Sequence, residues 1–105
     1  MGSIGDMGKA LRQVQKLQAD MERVQAELAE RTVEANAGGG AVKAVVRGDL
    51  RVERIVIAPE AIDPDDPEML ADLVLAAVNE GLRLAQEMMA SEMAKLTGGL
   101  KIPGL

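Results

Sequence analysis

TVEANAGGGAVKAVVRGDLRVERIVIA, residues 32–58, decides the fold. β-branched residues dominate it, the helical period is missing, and glycines punctuate it twice. Thr32 to Ala37 reads as a short strand. Gly38-Gly39-Gly40 lacks the wider G-x-x-x-x-G-K-[ST] context of a phosphate loop, so it reads as a hairpin turn. Ala41 to Arg47 alternates, with Val42, Ala44 and Val46 on one face and Lys43 and Arg47 on the other. Gly48-Asp49 is a two-residue hairpin signal. Leu50 to Ala58 forms the third strand, and its alternation slips between Val52 and Ile55, which predicts a bulge near Glu53-Arg54. The product is an antiparallel sheet with one face under helices and the other in water. Lys43, Arg47, Arg51 and Arg54 make that wet face basic.

Helices flank the sheet on both sides. Upstream, residues 7–31 place Met7, Ala10, Val14, Leu17, Met21, Val24 and Leu28 at three-four heptad spacing. Such a narrow stripe seeks a second helix. At 100° per residue, Lys9, Arg12, Lys16 and Arg23 fall within about 60° of one another on the opposite side. Asp6 is a reasonable N-cap, or Ser3 and Asp6 form a capping box one turn earlier. The basic row has two readings: a solvated face, since Asp20, Glu27 and Glu30 share that side, or a contact for an anionic partner.

Downstream, Pro59 ends the sheet and Glu60 to Asp66 is an acidic loop. Its carboxylates lack the glycine and spacing of a calcium loop. They fit a helix start instead, with Asp66 as N-cap, Pro67 at the first helical position and Glu68 facing the positive end of the dipole. The second helix runs from about Pro67 to Lys95. Its apolar positions cover more than one stripe, enough for the sheet on one side and another helix on a second. Met88, Met89 and Met93 serve either core or dimer packing, or an adaptable binding surface. Thr97-Gly98-Gly99 stops the helix. The tail Leu100 to Leu105 is either disordered or docked as an extended arm.

Composition removes most chemistry. The 105 residues contain no Phe, Trp, Tyr, His or Cys. A disulfide, a thiol nucleophile, an imidazole base and a Cys or His metal site are therefore excluded. Base stacking on aromatic rings is excluded too. No enzyme activity, cofactor, metal or small-molecule substrate is expected. A core of this size without aromatics favours association into an oligomer. No apolar run approaches the roughly 18 residues of a membrane helix. The start, MGSIGDMG, has no apolar signal core, and Asp6 stands where a myristoylation pattern wants Ser or Thr. These features predict a cytoplasmic protein, away from membranes.

The net charge of −5 opposes generic nucleic-acid affinity, but the acidity is local. Residues 59–82 hold seven acids and no base, whereas residues 1–18 carry +2. A basic surface at the start of the first helix survives the overall balance.

Four stretches carry a family resemblance: VQKLQADMERVQAEL, VEANAGGGAVKAVVRGD, MLADLVLAAVNEGLRLAQE and TGGLKIPGL. Together they cover nearly the whole chain, which resembles the YbaB/EbfC family of bacterial nucleoid-associated proteins. The resemblance implies an α+β fold in the order α-β-β-β-α, one domain over residues 1–105 with flexible ends at about 1–6 and 97–105. It also implies a tweezer-like homodimer in the cytoplasm and nucleoid, whose arms hold double-stranded DNA. Gly48, Gly98, Gly99, Pro103 and Gly104 match the family pattern as structural positions. Lys9, Arg12, Lys16 and Arg23 are the expected DNA-binding residues, placed by the basic row with the family's helical arm as support. Phosphate contacts of this kind carry affinity but little sequence preference. The competing expectation is a small acidic dimeric chaperone or adaptor, like the type III secretion chaperones, holding a partner polypeptide on apolar surface.

Overall fold

A computed structural model describes residues 3–97, with side chains over residues 6–96. The elements are α1 (Ser3–Glu30), β1 (Thr32–Ala37), β2 (Val42–Arg47), β3 (Val52–Ile57) and α2 (Pro67–Thr97). This is the expected α-β-β-β-α order. The C-terminal tail, expected to be flexible or docked, lies outside the described residues. Helix α1 begins at Ser3, so Asp6 is not its N-cap; it sits in the first turn, near the positive end of the dipole.

The three strands form one antiparallel sheet in the order β1-β2-β3. The glycine run is the first hairpin turn, a short 3₁₀ segment in which Gly38, Gly39 and Gly40 take φ of 62°, 67° and 98°. The β2–β3 register changes where Val45 faces Arg54 but Val46 faces Val52, leaving Glu53 as the extra residue. That is the expected bulge. The second hairpin differs from expectation. Its loop has three residues, Gly48, Asp49 and Leu50, closed by Leu50 N–H to Arg47 O at 2.9 Å and Arg47 N–H to Arg51 O at 2.8 Å. Leu50, not Gly48, takes the left-handed conformation, at φ 66°. This is the three-residue hairpin in which a turn is followed by one left-handed residue.

Gly48 is required for a different reason. A Cβ there would collide with the Leu28 carbonyl, and it would also press on Met88 Cε. The bare backbone allows two hydrogen bonds that fasten the hairpin to the end of α1: Gly48 N–H to Arg31 O at 2.8 Å and Asp49 N–H to Ala29 O at 3.2 Å.

Asp66 caps α2, its Oδ1 accepting from Met69 N–H at 3.2 Å, with Pro67 next in line as expected. The inner sheet face buries Val42, Ala44 and Val46 completely against Ala77 and Ala85 of α2. Small residues let the helix lie close. At Gly81 a Cβ would meet Val46 Cγ2 at 2.5 Å. Helix α2 lies across β1 and β2 and barely touches β3. Val52, Ile55 and Val56 of β3 therefore stay 40–46 % exposed, and Leu75 on α2 is 60 % exposed.

The last turns of α2 reach the base of α1, where Arg31 pairs with Glu92 at 3.6 Å and Leu28 is buried. Beyond that base, among the described residues, α1 projects alone. The extents of 80 × 27 × 15 Å record a sheet-and-helix body with a long arm. The heptad stripe is thus half covered. Met21 and Val24 are half-buried near the base, while Met7 and Val14 of the stripe, with Leu11 beside them, lie open at the tip.

Candidate nucleic-acid interface

All four residues of the basic row project from α1 into solvent. Lys9 and Lys16 are separated by about 10 Å along the axis, and Arg23 lies about 10 Å further toward the base. Local structure sorts them. Arg23 is held by its own helix, with Nη1 3.3 Å from Glu27 and Nη2 3.8 Å from Asp20. Among the described residues, no carboxylate pairs with Lys9, Arg12 or Lys16. The Arg12 guanidinium folds back over Gly8, where an added Cβ would stand 3.7 Å from Nη1. Three cations on one exposed face, unneutralised by neighbours, are available to an anion.

Most other cations are engaged. Lys43 pairs with Glu34 at 3.6 Å across the β1–β2 register, and Arg47 pairs with Asp49 at 3.1 Å beside the second hairpin. Arg83 donates to Glu80 at 2.6 Å and to Glu87 at 2.8 Å on α2. The hydrogen bond from Arg83 lowers the Glu80 carboxyl below its ordinary value, and the same bond raises Arg83. Lys95 is taken by Glu92 at 3.2 Å. The expected basic sheet face is therefore largely neutralised at Lys43 and Arg47. Arg51 and Arg54 remain exposed and without an ion pair among the described residues. Cross-strand pairing depends on register, which the alternation of the strands leaves open.

The acids that set the net charge sit elsewhere. Asp63 Oδ1 accepts from Asp65 N–H at 3.0 Å and Asp66 caps α2, so part of the acidic loop serves the helix start. Charge is polarised along the molecule, with unpaired cations on the arm and acids around the 59–68 connection. A polyanion approaching this surface meets attraction at the arm and repulsion at the opposite end. No described helix is long and apolar enough to cross a membrane.

Known proteins resemble the chain in sequence and in fold. The sequence profile of the YbaB/EbfC DNA-binding family matches residues 1–100. A nucleoid-associated protein of Pelotomaculum thermopropionicum is 59% identical over 101 residues, covering 96% of both chains. One from Acetivibrio thermocellus is 59% identical over 102 residues, covering 96% of this chain and 90% of its own. One from Alkaliphilus metalliredigens is 54% identical over 105 residues, covering 100% of this chain and 92% of its own. Among solved structures, an uncharacterized protein from Helicobacter pylori superposes with a TM-score of 0.61 at 15% identity. That match covers 76% of this chain and 93% of the other, and it speaks to the fold alone.

Proposed function

The chain belongs to the YbaB/EbfC DNA-binding family, and from that premise we propose that it binds double-stranded DNA as a homodimer, chiefly through phosphates. Family and relatives describe nucleoid-associated DNA-binding proteins and not enzymes. The observation that carries the finer reading is the row Lys9, Arg12 and Lys16, exposed and unpaired on a projecting arm. Arg23 closes the row at its base, where a phosphate must compete with Asp20 and Glu27. Side chains of this kind hold the backbone of a duplex and read little of its sequence, so sequence preference is low or modest. The site of action is the nucleoid, in the cytoplasm.

The dimer is supported by apolar surface that stays exposed among the described residues. Val52, Ile55 and Val56 line a sheet edge that α2 leaves open, and Leu75 extends a second apolar side of α2. An exposed edge strand of this character requires cover. A second copy supplies it and doubles the number of basic rows.

Binding to a duplex of random sequence, followed by fluorescence anisotropy as salt is raised, tests the electrostatic mechanism. With three phosphate contacts from each of two arms, the log–log slope is expected at about −5. A flat salt dependence would sink the mechanism. It would favour the chaperone alternative, whose apolar grip does not weaken with salt.

A further inference from the structure

The tip of α1 presents a second surface on the side away from the basic row. A groove of about 400 Å³ is lined there by Met7, Gly8, Ala10, Leu11 and Val14. Met7 is 72 %, Leu11 59 % and Val14 52 % exposed. Seven-residue spacing links Met7, Val14, Met21 and Leu28, with Ala10, Leu17 and Val24 between them. A repeat of that period is complementary to a helix, not to a strand or an irregular chain. Helix α2 meets this need only at the base of the arm and ends at Thr97. Residues 98–105 hold three glycines and a proline, a composition unsuited to helix. Among the described residues, the chain has no further helix to lay against the tip.

Charge narrows the choice of partner. On the half-cylinder centred on the stripe, at 100° per residue, residues 7–21 contribute Met7, Ala10, Leu11, Gln13, Val14, Leu17, Gln18 and Met21. None is charged. Two identical helices brought together on this side meet no like-charge repulsion, which is the usual obstacle to self-association of a charged helix. The flanking glutamines hydrogen-bond equally well to their own copies. We infer that the arm tip pairs with the arm tip of another dimer, so that dimers join into tetramers through an isologous helix–helix seam. The inference rests on the dimer proposed above. In such a seam Lys9, Arg12 and Lys16 point outward from both arms and remain open to DNA.

Analytical ultracentrifugation with interference optics suits a protein without aromatic residues and tests the seam on the full chain. Wild-type mass should rise from dimer to tetramer with concentration. Leu11→Glu with Val14→Glu should weaken the second step at least tenfold, leaving the dimer and the far-UV helix signal in place. Leu11→Cys, placed in a chain that has no other cysteine, should cross-link on mild oxidation and trap the tetramer. A wild-type protein that stays dimeric at every concentration overturns the seam, whereas a monomer would overturn the dimer reading instead. Tetramers that appear only after residues 98–105 are deleted assign the stripe to the chain's own tail and also overturn it. So does association that the two glutamates leave unchanged.

Discussion

Gly48→Val is expected to unfold the protein or lower its melting temperature by 15 °C or more. The position tolerates no side chain because the Leu28 carbonyl occupies the space a Cβ would need. Relief by rotating a neighbour is unavailable, since the obstacle is backbone. The hairpin must move away from α1, and the bonds from Gly48 to Arg31 O and from Asp49 to Ala29 O are lost with it. Strain plus two broken bonds costs about 3 kcal/mol or more, a large share of the roughly 5–15 kcal/mol that holds a small domain together. A loss of that size translates to the stated shift for a chain of this length. A thermal melt followed by far-UV circular dichroism reads it directly. Gly39→Ala is the control. Gly39 has a positive φ but nothing within 4 Å of a Cβ, so only the conformational penalty applies, about 1 kcal/mol. Equal effects at the two positions would show that close approach at Gly48 is not the cause.

Replacing Lys9, Arg12 and Lys16 together by alanine should reduce duplex affinity by at least about a hundredfold at moderate salt. In a dimer the change removes six cations, and each phosphate contact contributes about −0.9 to the salt slope. The slope should therefore flatten by about 5 while the dimer mass and helix content remain unchanged. Alanine is a good helix former, so α1 itself has no reason to melt. Affinity that survives the triple change would move the contact to the next unpaired cations, Arg51 and Arg54 on the sheet side. The two faces of α1 can be disabled independently. Glutamates at Leu11 and Val14 act on assembly, and alanines in the basic row act on DNA.

How far these features can be read before folding depends on their range. The strands, the glycine turn, the bulge at Glu53 and the Asp66 cap all follow from neighbours a few residues apart, and each is found where local pattern places it. The second hairpin is one residue longer than the Gly48-Asp49 pattern predicts because its closure depends on Leu50 entering a conformation that leucine rarely takes. Gly48 invites a turn explanation, yet its constraint comes from Leu28, twenty positions away in sequence. The basic row is legible as a row, and the acids that hold Arg23 are visible at i−3 and i+4. The pairing of Lys43 with Glu34 is not, since it needs the strand register. Periodicity likewise identifies the whole stripe of α1 but does not say where along it α2 stops.

That stopping point has a kinetic consequence. Over its last turns α1 is anchored by buried Leu28 and the hairpin bonds, but nearer the tip its apolar residues stay exposed among the described residues. Stability must then grade along a single helix, from local fraying at one end to the global unfolding energy at the other. Amide hydrogen exchange should record this as a continuous slowing from about Lys9 toward Leu28, joining the slowest amides of β2. The arm would sample many orientations on a nanosecond-to-microsecond scale while its root stays fixed, letting it adjust to a curved or bent polyanion without disturbing the body that carries it.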